Sequence, residues 1–156
     1  MDDFTPRRPK QVIDDAAVLC KMLDEAPVGF LGMSRDGESY VLPVAFARQG
    51  DTIFLHSARE GKKVAFLRAN TRVCLTAAPR AEYVPGKATF RYQSVIAYGE
   101  AEFVEDADAK RQAYAALNAK YEPEKTEPVG DTCLARSAII AIRVRKMTGK
   151  RGALDL

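Results

Sequence analysis

The segment Phe54-Leu55-His56-Ser57-Ala58-Arg59-Glu60-Gly61-Lys62-Lys63-Val64 gathers much of the chain's polar chemistry at one strand end and one helix start. Ser57 and Glu60 fit the S-x-x-E capping box, which predicts a helix over 58–69. Lys62 and Lys63 then fall near the positive end of the helix dipole, where each cation costs about 0.3–1 kcal/mol. A bound anion reverses that cost, because free N–H groups, a hydroxyl and two ammonium groups together form a phosphate site. On the plainer alternative, Ser57 only caps the helix. The segment is not a nucleotide-hydrolase loop. His56 stands where G-x-x-x-x-G-K-[ST] needs its first glycine, and Lys63 stands where that motif needs Ser or Thr. No GxGxxG occurs either, so a Rossmann dinucleotide site has no support.

His56 is the single histidine of 156 residues. That excludes a multi-histidine zinc site and an HExxH helix, and no metal is expected. Three roles stay open for its imidazole: a structural side chain, a ligand contact, or a proton donor and acceptor. Tyr92-Gln93-Ser94-Val95 adds hydroxyls and an amide on a strand, either as one polar face or as ligand contacts.

These groups need a framework, and the periodicity supplies one. Residues 11–26 read as an amphipathic helix, with Ile13, Ala16, Ala17, Cys20 and Leu23 at helical spacing and Pro27 as its stop. Strands follow over 28–33, 39–46 and 52–56, joined by the turns Ser34-Arg35-Asp36-Gly37 and Arg48-Gln49-Gly50-Asp51. They predict a three-strand antiparallel meander. Pro43 removes a ladder donor, so that point is an edge, a bulge or a ligand-facing opening. A strand over 72–78 precedes an irregular stretch over 79–89, and a long strand over 90–104 bends at Gly99. Asp106 caps a helix to about Tyr121, a loop with Pro123, Pro128 and Gly130 follows, and 137–147 is the last strand. Six strands joined largely by hairpins predict a mainly β fold with a few helices, a small antiparallel barrel. The domain is expected over 11–150, with short tails at 1–10 and 151–156.

Composition narrows the classes. With 47% hydrophobic and 29% charged residues the chain can bury a core, which rules out disorder throughout. A net charge of +3 with mixed signs argues weakly for nucleic acid, and no aromatic platform is interleaved with the basic ends. Those ends read as solvated faces. No apolar run approaches the roughly 20 residues of a membrane span, and the N-terminus lacks a signal-peptide pattern. Cys20, Cys74 and Cys133 form no CxxC pair and read as small buried hydrophobes, so a reducing cytoplasmic compartment is expected.

Five pieces in order carry a family resemblance: Tyr40-Val41-Leu42-Pro43-Val44-Ala45-Phe46; Ile53 to Ser57 with Gly61-Lys62-Lys63; Arg72-Val73-Cys74; Tyr92-Gln93-Ser94-Val95 with Gly99; and Met147-Thr148-Gly149-Lys150. In this order they resemble the FMN-binding split-barrel proteins. Within these they are most similar to the pyridoxamine 5'-phosphate oxidase-related branch that includes the 5-nitroimidazole resistance proteins. The resemblance implies a six-stranded split β-barrel that forms a homodimer, with FMN in a groove between subunits. It implies that Val41, Leu42, Pro43 and Val44 run along the flavin ring, that His56, Ser57, Lys62 and Lys63 approach the ribityl phosphate, and that Gln93 and Ser94 add polar contacts. It also implies an FMN-dependent oxidoreductase acting on a small molecule such as a nitro compound, with His56 near the flavin or substrate as the catalytic candidate. The alternatives are a flavin-binding protein for storage or sensing, and a pyridoxamine phosphate oxidase-like enzyme. The chain lacks the Arg-rich substrate signature and C-terminal Arg-x-His element of the latter.

Overall fold

The computed structural model describes residues 7–152; residues 1–6 and 153–156 lie outside the described part. A short 3-10 turn, Pro9–Gln11, leads into β1 (Val12–Ile13) and α1 (Ala16–Glu25). Next come β2 (Gly29–Arg35), β3 (Glu38–Val44), β4 (Phe46–Gln49), β5 (Thr52–Ala58) and α2 (Lys62–Ala69). The chain continues through β6 (Arg72–Val84), β7 (Thr89–Val104), α3 (Ala107–Tyr121), α4 (Asp131–Arg136) and β8 (Ser137–Arg151). All strand pairings are antiparallel, in the order β3-β2-β6-β7-β8-β5-β4, with β1 added to β8.

Eight strands replace the six read from the sequence, for two local reasons. The expected strand over 39–46 breaks at Ala45 into β3 and β4, and a two-residue strand forms where a helix was expected to begin. That first helix starts only at Ala16, because the Asp15 carboxylate accepts the Ala17 and Val18 N–H groups and fixes the start there. The meander is also corrected. β3 and β4 are consecutive in the chain but lie at opposite ends of the hydrogen-bonding order, so the bend at Ala45 joins the two ends of the rolled sheet. The irregular stretch over 79–89 is instead the tip of a long β6–β7 hairpin. A register shift between Ala77 and Arg80 takes up Pro79 and lets pairing resume as far as Val84 opposite Thr89. Gly99 does mark a bend. The β7–β8 register shifts there, and a Cβ at that position would lie 2.4 Å from the Arg143 carbonyl oxygen.

The interior is aliphatic. Leu31, Ile53, Leu55, Leu75, Val95, Ile140 and Ile142 project from the strands, and α1 and α2 close over them with Leu23, Phe66 and Leu67. Alternation along β5 sends Ile53 and Leu55 into this core and Phe54 toward a second cluster, formed under α3 and α4 by Ala113, Tyr114, Leu117, Leu134 and Ile139. α3 was legible: the Asp106 carboxylate accepts the Ala109 N–H at 2.8 Å, as its capping role requires. The cysteines were not, since Cys20 and Cys74 are only half-buried and Cys133 is exposed on the unforeseen α4. Among the described residues no helix is long and apolar enough to cross a membrane.

The end of α3 pins the bend. The Tyr121 hydroxyl accepts the Phe46 N–H at 3.0 Å and lies 3.0 Å from the Pro27 and Phe46 carbonyl oxygens, donating to one of them. Lys120 lies 3.7 Å from the centre of the Phe46 ring and donates to the Leu23 carbonyl at 3.1 Å, and burial pushes its pKa down to about 8. Tyr121→Phe strands the Phe46 N–H beside an apolar ring edge. It should lower unfolding free energy by about 1–3 kcal/mol in urea melts, with the slope unchanged.

Candidate functional site

The β4–β5 ladder runs from Gln49 opposite Thr52 to Phe46 opposite Leu55 and stops. Continued in register it would set Val44 against Ser57 and Pro43 against Ala58. Pro43 has no N–H to give, and β3 pairs only with β2. The two strands therefore part at this seam, and β3 keeps a free edge, as Pro43 led us to expect. Along that edge Val41 and Pro43 face outward, Leu42 is half-buried and Val44 enters the core.

Ser57 lies on the other side of the seam, still within β5, so it does not cap α2. The capping-box expectation fails because the strand runs on to Ala58 and the helix waits until Lys62. Gly61 takes the N-cap position at φ +122, which an L side chain rarely adopts. The start of α2 thus has no side-chain cap. Ser57 follows Ile53 and Leu55 on the inward face, is 4% exposed, and its Oγ has no hydrogen-bond partner.

The lysines occupy the first two positions of α2 but differ in their surroundings. Lys62 donates to Glu38 Oε1 at 2.6 Å and lies over the Tyr40 and Phe66 rings. Its placement is therefore explained within the chain, and its hydrogen bond holds the Glu38 carboxyl below the usual range. Lys63 is half-buried, burial lowers its pKa, and no carboxylate lies within 4 Å of it among the described ion pairs. The Lys62–Glu38 pair also brings the helix start beside β3.

His56 points to the opposite face of β5 from Ser57. Its ring lies 5.5 Å from that of Tyr114, centre to centre. Tyr114 donates to Ser137 Oγ at 2.5 Å, Ser137 donates to the Cys133 carbonyl at 2.7 Å, and the Cys133 thiol completes the ring toward the Tyr114 hydroxyl at 3.6 Å. This network holds α4 against β8 and frames an open hollow of about 660 Å³ lined by His56, Ser57, Thr132, Cys133, Arg136 and Ser137. Sequence reasoning missed Tyr114, Thr132, Cys133 and Arg136. α4 spans six residues after a loop and leaves no usable periodicity.

Gln93 and Ser94 are not brought to this place. They pair with Arg151 and Lys150, whereas Ser57 pairs with Ala138. Twelve residues of β8, about 40 Å of extended strand, separate the two positions.

Comparison with known proteins decides the ancestry. The family model for pyridoxamine 5'-phosphate oxidase matches residues 15–151. The chain belongs to that family. Its fold is of the FMN-binding split-barrel type, so the seam between β3 and β5 is the split. A candidate 5-nitroimidazole antibiotic resistance protein from Bacteroides thetaiotaomicron is 30% identical, with a TM-score of 0.81 over 89% of this chain and 85% of that one. An FAD-binding protein from Mesorhizobium loti is 25% identical, with a TM-score of 0.69 over 92% and 98%. An FAD- and heme-binding protein from Mycobacterium smegmatis shares the fold at 21% identity, with a TM-score of 0.81 over 93% and 75%. No curated protein gives a significant match.

The residues of this family member suit a phosphorylated flavin. A buried hydroxyl without a partner, a helix start without a side-chain cap and a half-buried lysine without a carboxylate, all within residues 57–63, are donors of the kind a phosphate monoester accepts from.

Partial burial, and secondarily the Lys63 charge, hold the His56 pKa below its ordinary value of 6.5. The unfolded chain therefore binds more protons just below pH 6.5, and stability should fall as pH drops from there. In chemical denaturation between pH 7.5 and 5, His56→Gln should show a shallower loss than the parent.

Proposed function

We propose that the chain is a homodimeric FMN-dependent oxidoreductase that reduces a small-molecule acceptor, a nitro compound being the best-supported class. The observation that carries this reading is the donor set at the seam: Ser57 Oγ, the first N–H groups of α2, and Lys63. Family membership and the 30% identity to a candidate nitroimidazole resistance protein support it. In this reading Ser57, Lys63 and the start of α2 hold the phosphate, and Lys62 contributes less because Glu38 already engages it. The free edge of β3 at Val41, Leu42, Pro43 and Val44 borders the ring system through backbone groups.

When bound, the flavin supplies the redox chemistry; the chain binds, orients and shields it. His56 faces the hollow and is placed to hydrogen-bond an acceptor there. The Tyr114–Ser137–Cys133 ring keeps that wall in place.

Two observations support a second copy as partner. The outer faces of β2, β3 and β7 expose Phe30 (47%), Val41 (60%) and Tyr98 (42%), apolar surface that a two-fold contact would cover. Gln93 and Ser94, remote from Ser57 within one copy, would meet the flavin only as the partner's contribution. Three unpaired cysteines fit a reducing cytoplasm.

The experiment is direct. Purified protein should be yellow, sediment as a dimer, and oxidise NADH or NADPH faster when a nitroaromatic acceptor is present. Bound flavin without acceptor-dependent turnover would leave a flavin store or sensor and refute the enzyme. A monomer that holds FMN tightly would refute the shared site.

Lys63→Ala should weaken FMN binding about 10- to 100-fold, the loss of one charge-assisted contact, and Lys62→Ala less. Riboflavin, which lacks the phosphate, should bind parent and variants alike. Fluorescence titration measures both.

A further inference from the structure

Beyond the split, a second polar space lies where α2, α3 and the start of β8 meet. It is a half-enclosed cavity of about 40 Å³, lined by Arg59, Arg68, Phe103, Glu105, Lys110 and Ser137. That volume admits about three waters by the usual measure, room for a tetrahedral oxyanion.

Three cations face this space against one carboxylate, and none of the four is within ion-pair distance of another among the described pairs. Arg59 gives one N–H to the Ala135 carbonyl at 2.6 Å, and Arg68 lies over the Phe103 ring. Lys110 is the informative group. It is 9% exposed, sits in the first turn of α3 on the positive side of that helix, and its side chain makes no hydrogen bond or ion pair among the described residues. Its stem is covered while its ammonium stays open to the cavity, where an anion can reach it. Surface helices of this kind place cations at the other end.

We propose that this cavity is a binding site for a compact anion of phosphate size, held by Lys110, Arg68 and Arg59 and separate from the flavin-phosphate site. The ligand would be free phosphate or the phosphoryl group of a larger molecule; the shared chemistry is a tetrahedral oxyanion ringed by three donors. It would tie α3 to the α2 side of the barrel through charges that the chain leaves uncompensated.

Calorimetry on the purified protein, in inorganic phosphate against chloride at matched ionic strength, tests the site. Phosphate should raise the melting temperature in a saturable way, by several degrees more than chloride does. The rise should survive Lys63→Ala and be lost in Lys110→Met. Arg68→Gln, which leaves Lys110 in place, should weaken the phosphate effect on its own. A stabilisation that chloride reproduces, or one that persists in Lys110→Met and Arg68→Gln, would overturn the proposal. So would one abolished by Lys63→Ala, which would assign phosphate to the flavin site instead. With phenyl phosphate as probe, an equal stabilisation would identify a phosphoryl group as sufficient; a smaller one would restrict the site to the free ion.

Discussion

A missing hydrogen-bond donor governs this molecule. The rolled sheet closes through four residue pairs between β4 and β5, and the next strand segment contains Pro43, which offers no N–H to continue the ladder. The strands have already parted at Ala45, and Pro43 keeps the ladder from resuming opposite Ala58. Because they separate, β3 has an edge that no other strand among the described residues covers, and Ser57 has a buried hydroxyl with nothing to bond. Native proteins rarely leave such groups unanswered. The split is thus a break in pairing that the proposed flavin phosphate would complete.

The bend at Ala45 is held from outside the sheet. Tyr121 takes over the Phe46 N–H just where the ladder ends, and Lys120 covers the Phe46 ring. Both come from the last turn of α3, a helix distant in sequence from the bend. The geometry of the opening therefore depends on helix packing as much as on strand register. His56 and Ser57, neighbours in sequence, both border the hollow but present opposite faces of β5: the His56 ring packs beside Tyr114, while the Ser57 hydroxyl is turned inward.

Much of this was legible in the residues. The alternating strands, the Asp106 cap, the bend at Gly99 and the disruption at Pro43 each follow from a local rule, and each holds. What escaped depends on contacts between distant segments. A capping box at Ser57 was a reasonable local reading, but β8 pairs with β5 as far as Ala58 and keeps Ser57 in the sheet, and Gly61 starts the helix instead. Lys62 and Lys63 look alike in sequence; only the placement of Glu38 on β3 distinguishes them. α4 is too short to announce itself, and with it went the wall opposite His56. Nor does sequence order show that Gln93 and Ser94 sit at the far end of β8 from Ser57.

β8 pairs with β1, β5 and β7 at once, and it is the last strand among the described residues. On a ribosome, the β2–β3 and β4–β5 hairpins can form as they emerge, but they have no common sheet until the final strand arrives. Every other described strand must be made before the two halves join, and until then the apolar faces of β5 and β7 have no neighbour between them. Synthesis of this protein thus carries an interval in which its edges are open to the wrong partner. Its charged outer positions on β8, paired across to Glu100 and Glu102, resist a misregistered substitute.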